Sequence, residues 1–316
     1  MALLIIGSQR SEEFAAAARA AGGSDLDIRV WPEAGHVEDI RYALAWGPPM
    51  GVLKTFPSLE LIISVGAGVD HLMKDPELPD VPIVRYVDPD LTGRMVGYLV
   101  LHALLHQRRM CEFLELQRQA KWEYRGEPAM HEVRVGLMGL GVMGEATAKA
   151  LKGLGFQLRG WSRTQKAIEG VECFAGQEGL DAFLSGTDIL VCTLPLTPDT
   201  RSIINRDLLR KLSGHGRHRR MPGPVLINAG RGPLQVEADI LAALDAGELY
   251  AASLDVFETE PLPSESPLWS HPRVIVTPHN AAESTPESIS RYMLHQIRRH
   301  EAGEPLENVV DRARGY

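Results

Sequence analysis

An α/β protein with a doubly wound parallel sheet is predicted by three features of this chain. A glycine-rich strand–turn–helix stands at its centre, further strand-like runs alternate with helical ones after it, and a shorter α/β rhythm precedes it. The central stretch, Val133 to Gly144, reads VRVGLMGLGVMG: Val133, Val135, Leu137 and Met138 lead into Gly139, Gly141 and Gly144, and the helical segment EATAKALKGLG follows without a break. In a dinucleotide site each glycine has a physical task. Gly139 permits a sharp turn, Gly141 lets the backbone approach a pyrophosphate, and Gly144 lets the helix pack close to the strand. The free N–H groups and positive dipole end of that helix would hold the phosphates. A plain turn with convenient glycines is the competing explanation, and the flanking strand and helix favour the site.

With 316 residues the chain exceeds one typical core and implies about two domains. Its net charge of −8, from 33 basic and 41 acidic residues, disfavours a general nucleic-acid or membrane-surface binder. The apolar start MALLIIG runs into Ser8, Gln9 and Arg10 without a basic leader or long apolar core, so it reads as a first strand and not a signal peptide. No apolar run approaches a membrane span; Tyr98 to Leu105 is short and contains His102. Cys111, Cys173 and Cys192 are odd in number, far apart and without a CxxC pair, which points to a reducing, cytoplasmic compartment and to neither a disulfide nor a metal framework.

From Leu3 to Arg85 the apolar runs LLII, DIRVW, YALAW, LIISV and IVR alternate with stretches such as SEEFAAAARAAGG, the rhythm of a small open α/β sheet. Trp46 ends one of these strands before Gly47-Pro48-Pro49, at the carboxyl edge where ligands bind open sheets. A core tryptophan beside a turn fits it equally well. Gly66-Ala67-Gly68 follows LIISV, where successive backbone N–H groups can meet an anion, but on these residues alone a plain tight turn is the favoured account.

Thr92 to Ala120 is helical in pattern, with Met95, Leu99, Leu101, Leu105, Phe113 and Leu116 as its apolar stripe. After the glycine motif come the strand-like runs FQLRGW, DILVCTL, PVLINAG, YAASLDVF and RVIVTPH, which complete the doubly wound sheet. Thr285-Pro286-Glu287 is a helix start, and Ile289, Met293 and Ile297 recur at helical spacing, so this last helix is expected to return to the first domain. Ser213 to Gly223, SGHGRHRRMPG, breaks the rhythm as a basic, glycine-rich loop; a solvated surface loop explains it better than an anion or partner contact.

The end of the second strand in the glycine unit selects the cofactor. An NAD-selective site carries Asp or Glu there, but the chain reads Gly160-Trp161-Ser162-Arg163-Thr164. No carboxylate stands ready to repel a 2′-phosphate, and Ser162, Arg163 and Thr164 offer donors to one, so NADP(H) is preferred and NAD(H) remains possible. Three more clusters end strands on the same edge: Asn228-Ala229-Gly230-Arg231-Gly232, the Asp255 to Pro261 segment, and Thr277-Pro278-His279-Asn280. A parallel sheet gathers such ends, so Arg231, Glu260 and His279 can meet although they are distant in sequence.

These segments, with SVGAGVDHL, LPLTPDT, SPLWSHPRVIVTPH and the terminal VDRARGY, resemble the D-2-hydroxyacid dehydrogenase family across nearly the whole chain, and most of all its glyoxylate and hydroxypyruvate reductases. The resemblance implies a Rossmann cofactor domain over 98–284 and a smaller, discontinuous flavodoxin-like α/β substrate domain over 1–97 and 285–316. It implies reduction of small 2-oxo acids by NADPH, with Arg231 binding substrate, Glu260 partnering the imidazole and His279 as acid/base. Substrate would also meet Trp46 and the N–H groups of Ala67 and Gly68. Cofactor would meet Gly139, Gly141, Val142, Met143, Gly144, Ser162, Arg163, Thr164, Leu194, Pro195, Ala229, Asp255 and His279, and the enzyme would be a homodimer. The rival readings are a dehydrogenase of larger 2-oxo acids and a dinucleotide-sensing binding protein. Three departures stand out: Gly97 where the family often has glutamate, Asn280 after the histidine, and the long loop of Ser213 to Gly223.

Overall fold

The structure, a computed structural model, describes residues 1–22, 26–212 and 214–316. In chain order its regular elements are β1 (Ala2–Ile6), α1 (Ser11–Ala20), β2 (Asp27–Val30), β3 (Ile40–Ala45), β4 (Leu61–Ser64), α2 (Asp70–Met73), β5 (Ile83–Val84), α3 (Pro89–Gln107), α4 (Met110–Arg118), β6 (Arg134–Met138), α5 (Val142–Leu154), β7 (Gln157–Ser162), β8 (Val171–Ala175), α6 (Gly176–Ser185), β9 (Ile189–Cys192), α7 (Arg206–Lys211), β10 (Val225–Asn228), α8 (Glu237–Asp245), β11 (Ala251–Leu254), β12 (Val274–Val276) and α9 (Pro286–Glu301). They divide into two compact units, Met1–Leu91 with Glu283–Tyr316, and Thr92–Ala282.

The first unit holds a five-stranded sheet in the order β2-β1-β3-β4-β5, with every strand pair parallel. A parallel sheet covered on both faces needs strands apolar on both sides, and β1 meets that need with Ala2, Leu3, Leu4, Ile5 and Ile6 all fully buried. Helix α9 covers one face. Thr285 caps it by accepting from Ser288 N–H, Pro286 occupies its first turn, and Ile289, Met293 and Ile297 turn inward with Ser290 beside the Phe14 carbonyl of α1.

The second unit holds a seven-stranded parallel sheet, ordered β12-β11-β10-β9-β6-β7-β8. The chain moves outward from β6 through β7 to β8 and then returns to the other side at β9. That reversal puts the topological switch point between β6 and β9, where open α/β sheets bind ligands. At their opposite ends the same two strands are tied by an ion pair: the fully buried Asp188 accepts from Arg134 Nε at 2.9 Å and Nη2 at 2.6 Å. Arg134 also donates to the His215 carbonyl at 2.6 Å, which pins the start of the basic loop to the sheet. The rest of that loop is largely exposed, and Ser213, its first residue, lies outside the described residues.

Two local readings of the sequence are corrected. The helical stretch from Thr92 to Ala120 is two helices, broken where Arg109 adopts a left-handed φ of 58°, and Leu101 is 54 % exposed and off the buried stripe. The sheet also gains a strand that hydrophobic patterning does not mark, β8: its residues VECFA are only partly buried because it forms the sheet edge.

Candidate functional site

The glycine motif folds as its composition dictates. Gly139 takes a φ of 112°, which L-residues avoid, and Gly141 caps α5 with open space over its Cα. A methyl group on Gly144 would lie 1.9 Å from the Gly139 carbonyl oxygen, so only glycine lets α5 approach the turn this closely. Gly141, Val142 and Met143 therefore present the unsatisfied N–H groups of a helix first turn at the switch point, with Gly141 and Val142 exposed, a cradle that fits a pyrophosphate.

At the end of β7, Arg163 and Thr164 are exposed. The Ser162 hydroxyl donates to the Thr164 carbonyl at 2.8 Å, shaping the loop from within. Lys166, which the sequence did not single out, pairs with Glu145 of α5 at 3.7 Å and adds a cation to the same loop. Across the switch point Leu194 and Ala229 are buried, the Pro195 carbonyl accepts from Thr200 Oγ1 at 2.8 Å, and Ala229 N–H reaches the Cys192 carbonyl at 3.4 Å.

Asp255 ends β11 at 1 % exposure with its carboxylate almost saturated. Oδ1 accepts from Thr277 Oγ1 at 2.6 Å and Asn280 N–H at 3.0 Å, and Oδ2 accepts from Ala281 N–H at 2.9 Å. Of roughly four acceptor positions on a carboxylate, one remains for a carboxamide. Thr277 in turn accepts from the Tyr98 hydroxyl of α3 at 2.8 Å. This clamp holds His279 at a left-handed φ of 53°, a backbone state that costs a non-glycine residue about 1–2 kcal/mol, with its N–H on the Asp255 carbonyl at 2.8 Å.

Held this way, His279 projects an exposed imidazole whose Nδ1 lies 2.7 Å from Glu260 Oε2. Glu260 Oε1 accepts from Phe257 N–H at 3.0 Å, which fixes the carboxylate on its own turn. Partial burial alone would raise the Glu260 pKa, but the hydrogen bonds from His279 and Phe257 and the charges of His279 and Arg231 outweigh it and hold the group below its ordinary 4.5. An ionised Glu260 requires the proton on Nδ1, so Nε2, without a partner among the described residues, is the atom presented to a ligand. Arg231, half-buried at the end of the β10 loop, donates to the Gly230 carbonyl at 3.0 Å and lies close enough to Glu260 for its charge to be felt there. The other histidines of this unit's core behave differently. His102 and His106 share the Ser253 hydroxyl at 2.8 Å each, and burial lowers both pKa values, that of His106 to about 3.

In the first unit, Trp46 follows β3 directly and the Gly66-Ala67-Gly68 turn follows β4. The Ala67 and Gly68 N–H groups have no acceptor among the described residues, whereas Gly66 N–H is held by Ser64 Oγ at 3.3 Å. Trp46 packs against His71 of α2, ring centroids 4.4 Å apart. Nothing in the sequence marked His71, and its only signal was a place just past the turn. Gly97 is exposed with open space around it, and Asn280 contributes its N–H to Asp255.

A doubly wound sheet with a glycine-lined phosphate cradle at its switch point and a histidine–carboxylate pair at its strand ends defines a dinucleotide-dependent oxidoreductase. Residues 100–281 match the family described as D-isomer specific 2-hydroxyacid dehydrogenase, NAD binding domain. Glyoxylate/hydroxypyruvate reductase A of Escherichia fergusonii is 42 % identical over 298 residues, 92 % of each chain. Among solved structures, a D-isomer specific 2-hydroxyacid dehydrogenase from Xanthobacter autotrophicus in complex with NADPH and MES is 43 % identical, with a TM-score of 0.92 over 100 % of this chain and 99 % of that one. The NADPH-dependent glyoxylate/hydroxypyruvate reductase of Sinorhizobium meliloti, in complex with NADP and sulfate, is 43 % identical with a TM-score of 0.91 over the whole of both chains. The chain belongs to the D-isomer specific 2-hydroxyacid dehydrogenase family.

The lowered pKa of Glu260 has a consequence for stability. Its charged form favours the fold, fully above the ordinary value of 4.5 and decreasingly as pH falls through the lowered one. Because the two side chains are 37 % and 36 % exposed, water screens the pair and Glu260→Gln should cost under about 1 kcal/mol at pH 7. Urea denaturation should show that difference closing as the pH falls below the ordinary carboxylate range; a gap unchanged in acid would contradict the assigned pairing.

Proposed function

We propose that this protein reduces short 2-oxo acids, glyoxylate and hydroxypyruvate foremost, with NADPH as the preferred reductant. The carrying observation is the His279–Glu260 pair, which fixes one ring nitrogen at 2.7 Å and leaves the other open. The phosphate cradle and the exposed Arg163, in a strand-end sequence that carries Ser162, Arg163 and Thr164 where an NAD-selective site carries an acid, support NADP(H) over NAD(H). The reductases from Escherichia fergusonii and Sinorhizobium meliloti, named for these activities, support the choice of substrates.

When bound, the dinucleotide supplies the hydride. Reduction turns a carbonyl carbon into an alcohol carbon and builds negative charge on its oxygen, which must be met by a proton. His279 Nε2 donates that proton to the carbonyl oxygen, and Glu260 holds Nδ1–H so that the ring stays aimed and its developing charge change is balanced. The Arg231 guanidinium grips the substrate carboxylate through its planar fork. Ala67 and Gly68 offer backbone N–H groups to the carboxylate, and Trp46 limits the length of the acid. Asp255 and Thr277 act behind His279 by fixing its turn.

The working form is a homodimer in a reducing, cytoplasmic setting. Trp122 and Tyr124 are fully and 86 % exposed beyond α4, beside a groove of about 540 Å³ lined by Phe113, Leu116 and Ala120, an apolar surface that a second copy would cover. The three cysteines are unpaired, and no helix of the described residues is long and apolar enough to cross a membrane.

Following absorbance of NADPH and NADH with glyoxylate, hydroxypyruvate, pyruvate and phenylpyruvate should give the highest kcat/KM with the first two acids and NADPH; turnover of none, or faster turnover with NADH, contradicts the reading. His279→Ala should lose roughly 10²–10⁴-fold in kcat while retaining NADPH binding, measured by fluorescence titration, and near-normal turnover would remove His279 as proton donor. Light scattering should report twice the 34.8 kDa chain mass, with Trp122→Ser shifting it toward one chain; a monomeric parent protein would refute the dimer.

A further inference from the structure

His71 joins the two loops of the first unit that matter most to the proposed substrate. Its Nδ1 accepts from Gly47 N–H at 3.0 Å. A backbone N–H can only donate, so the ring proton is on Nε2 and points to Ser64 Oγ at 3.2 Å. The buried Ser64 hydroxyl bonds onward to the Gly66 carbonyl at 2.9 Å and lies 3.2 Å from that of Gly68, holding the turn that carries the Ala67 and Gly68 N–H groups. One imidazole thus ties the end of β3 to the turn after β4.

The same ring fixes the indole beside it. Trp46 lies against His71 at 4.4 Å with the planes 48° apart, and covers Gly66 so closely that a methyl group there would sit 2.6 Å from Trp46 Cζ3. Gly66 thus lies against one side of the indole and His71 against another. Removing the imidazole frees Gly47 N–H and opens room for the indole to rotate away from Gly66.

We propose that His71 is a positioning residue that sets the length of acid admitted, by holding the Trp46 indole beside the Ala67–Gly68 N–H pair. This rests on the reading of those N–H groups and Trp46 as the substrate side of the site. His71 touches neither the substrate nor the cofactor in this scheme; it acts through Trp46 and Gly47.

The test compares kcat/KM for phenylpyruvate and glyoxylate in the unmodified protein, His71→Leu and His71→Asn. Leucine supplies no acceptor, and the expected result is a shift of roughly tenfold in the ratio toward the larger acid, carried by KM for glyoxylate with KM for NADPH unchanged. Asparagine places an amide oxygen near the former Nδ1 and should keep the ratio within about threefold of the parent. A merely structural role would lower the folded fraction and kcat alike for both acids without moving the ratio. An unchanged ratio in His71→Leu, or an equal shift in both variants, overturns the proposal while the reductase reading stands. If His71→Leu does not fold, Ser64→Ala is read in its place: a shift toward the larger acid supports the proposal and none overturns it. If the unmodified protein turns over no 2-oxo acid, the reductase reading fails and this proposal falls with it.

Discussion

One buried carboxylate keeps the chemistry of the second unit in order. Taking the charge of Asp255 out of water costs several kcal/mol unless donors replace the lost solvent, and the hydroxyl of Thr277 and the N–H groups of Asn280 and Ala281 do so. Those donors span the residues around His279, so satisfying the charge and bending the chain into its left-handed turn are one event. The strain at His279 is tolerated because the surroundings over-determine it, a pattern that marks functional positions. Tyr98 on α3 extends the clamp to a helix of the same unit, which ties the turn to the core.

The parallel sheets explain why distant residues share an edge. Every strand of the second sheet runs the same way, so the loops after β6, β7, β9, β10, β11 and β12 all leave from one side, and with them the glycines, Arg163, Leu194, Arg231, Glu260 and His279. The smaller sheet repeats the logic, since Trp46 and the Ala67–Gly68 turn leave adjacent strands β3 and β4 at their carboxyl ends. Neither unit needs a long excursion of chain to build its part. The architecture supplies the placement and the loop residues supply the chemistry.

Much of this was legible in the sequence because its causes are local or topological. The turn at Gly139 and the close approach at Gly144 follow from residues adjacent in the chain, and strand ends of a doubly wound sheet must share an edge whatever lies between them. The start of α9 at Thr285-Pro286 was readable for the same local reason. What was not legible depends on partners far along the chain. β8 is an edge strand with little apolar surface to announce it, and the break at Arg109 leaves the apolar spacing almost intact. Asp255 stood in the sequence as a cofactor contact, and only the folded chain brings three further donors to it. His71 gave no signal beyond its place just past the Gly66–Gly68 turn, since its role depends on Gly47, Ser64 and Trp46 meeting in three dimensions.

The central claim is that the open nitrogen of His279 and the guanidinium of Arg231 serve one small acid beside the dinucleotide cradle. A crystal structure of the protein with NADP and oxamate, an unreactive analogue of a 2-oxo acid, tests it most directly. The account predicts the oxamate carboxylate on Arg231, its amide oxygen within about 3 Å of His279 Nε2, and the Nδ1 contact to Glu260 intact. Oxamate bound away from both side chains, or a His279 ring turned off Glu260 to reach it, would contradict the account.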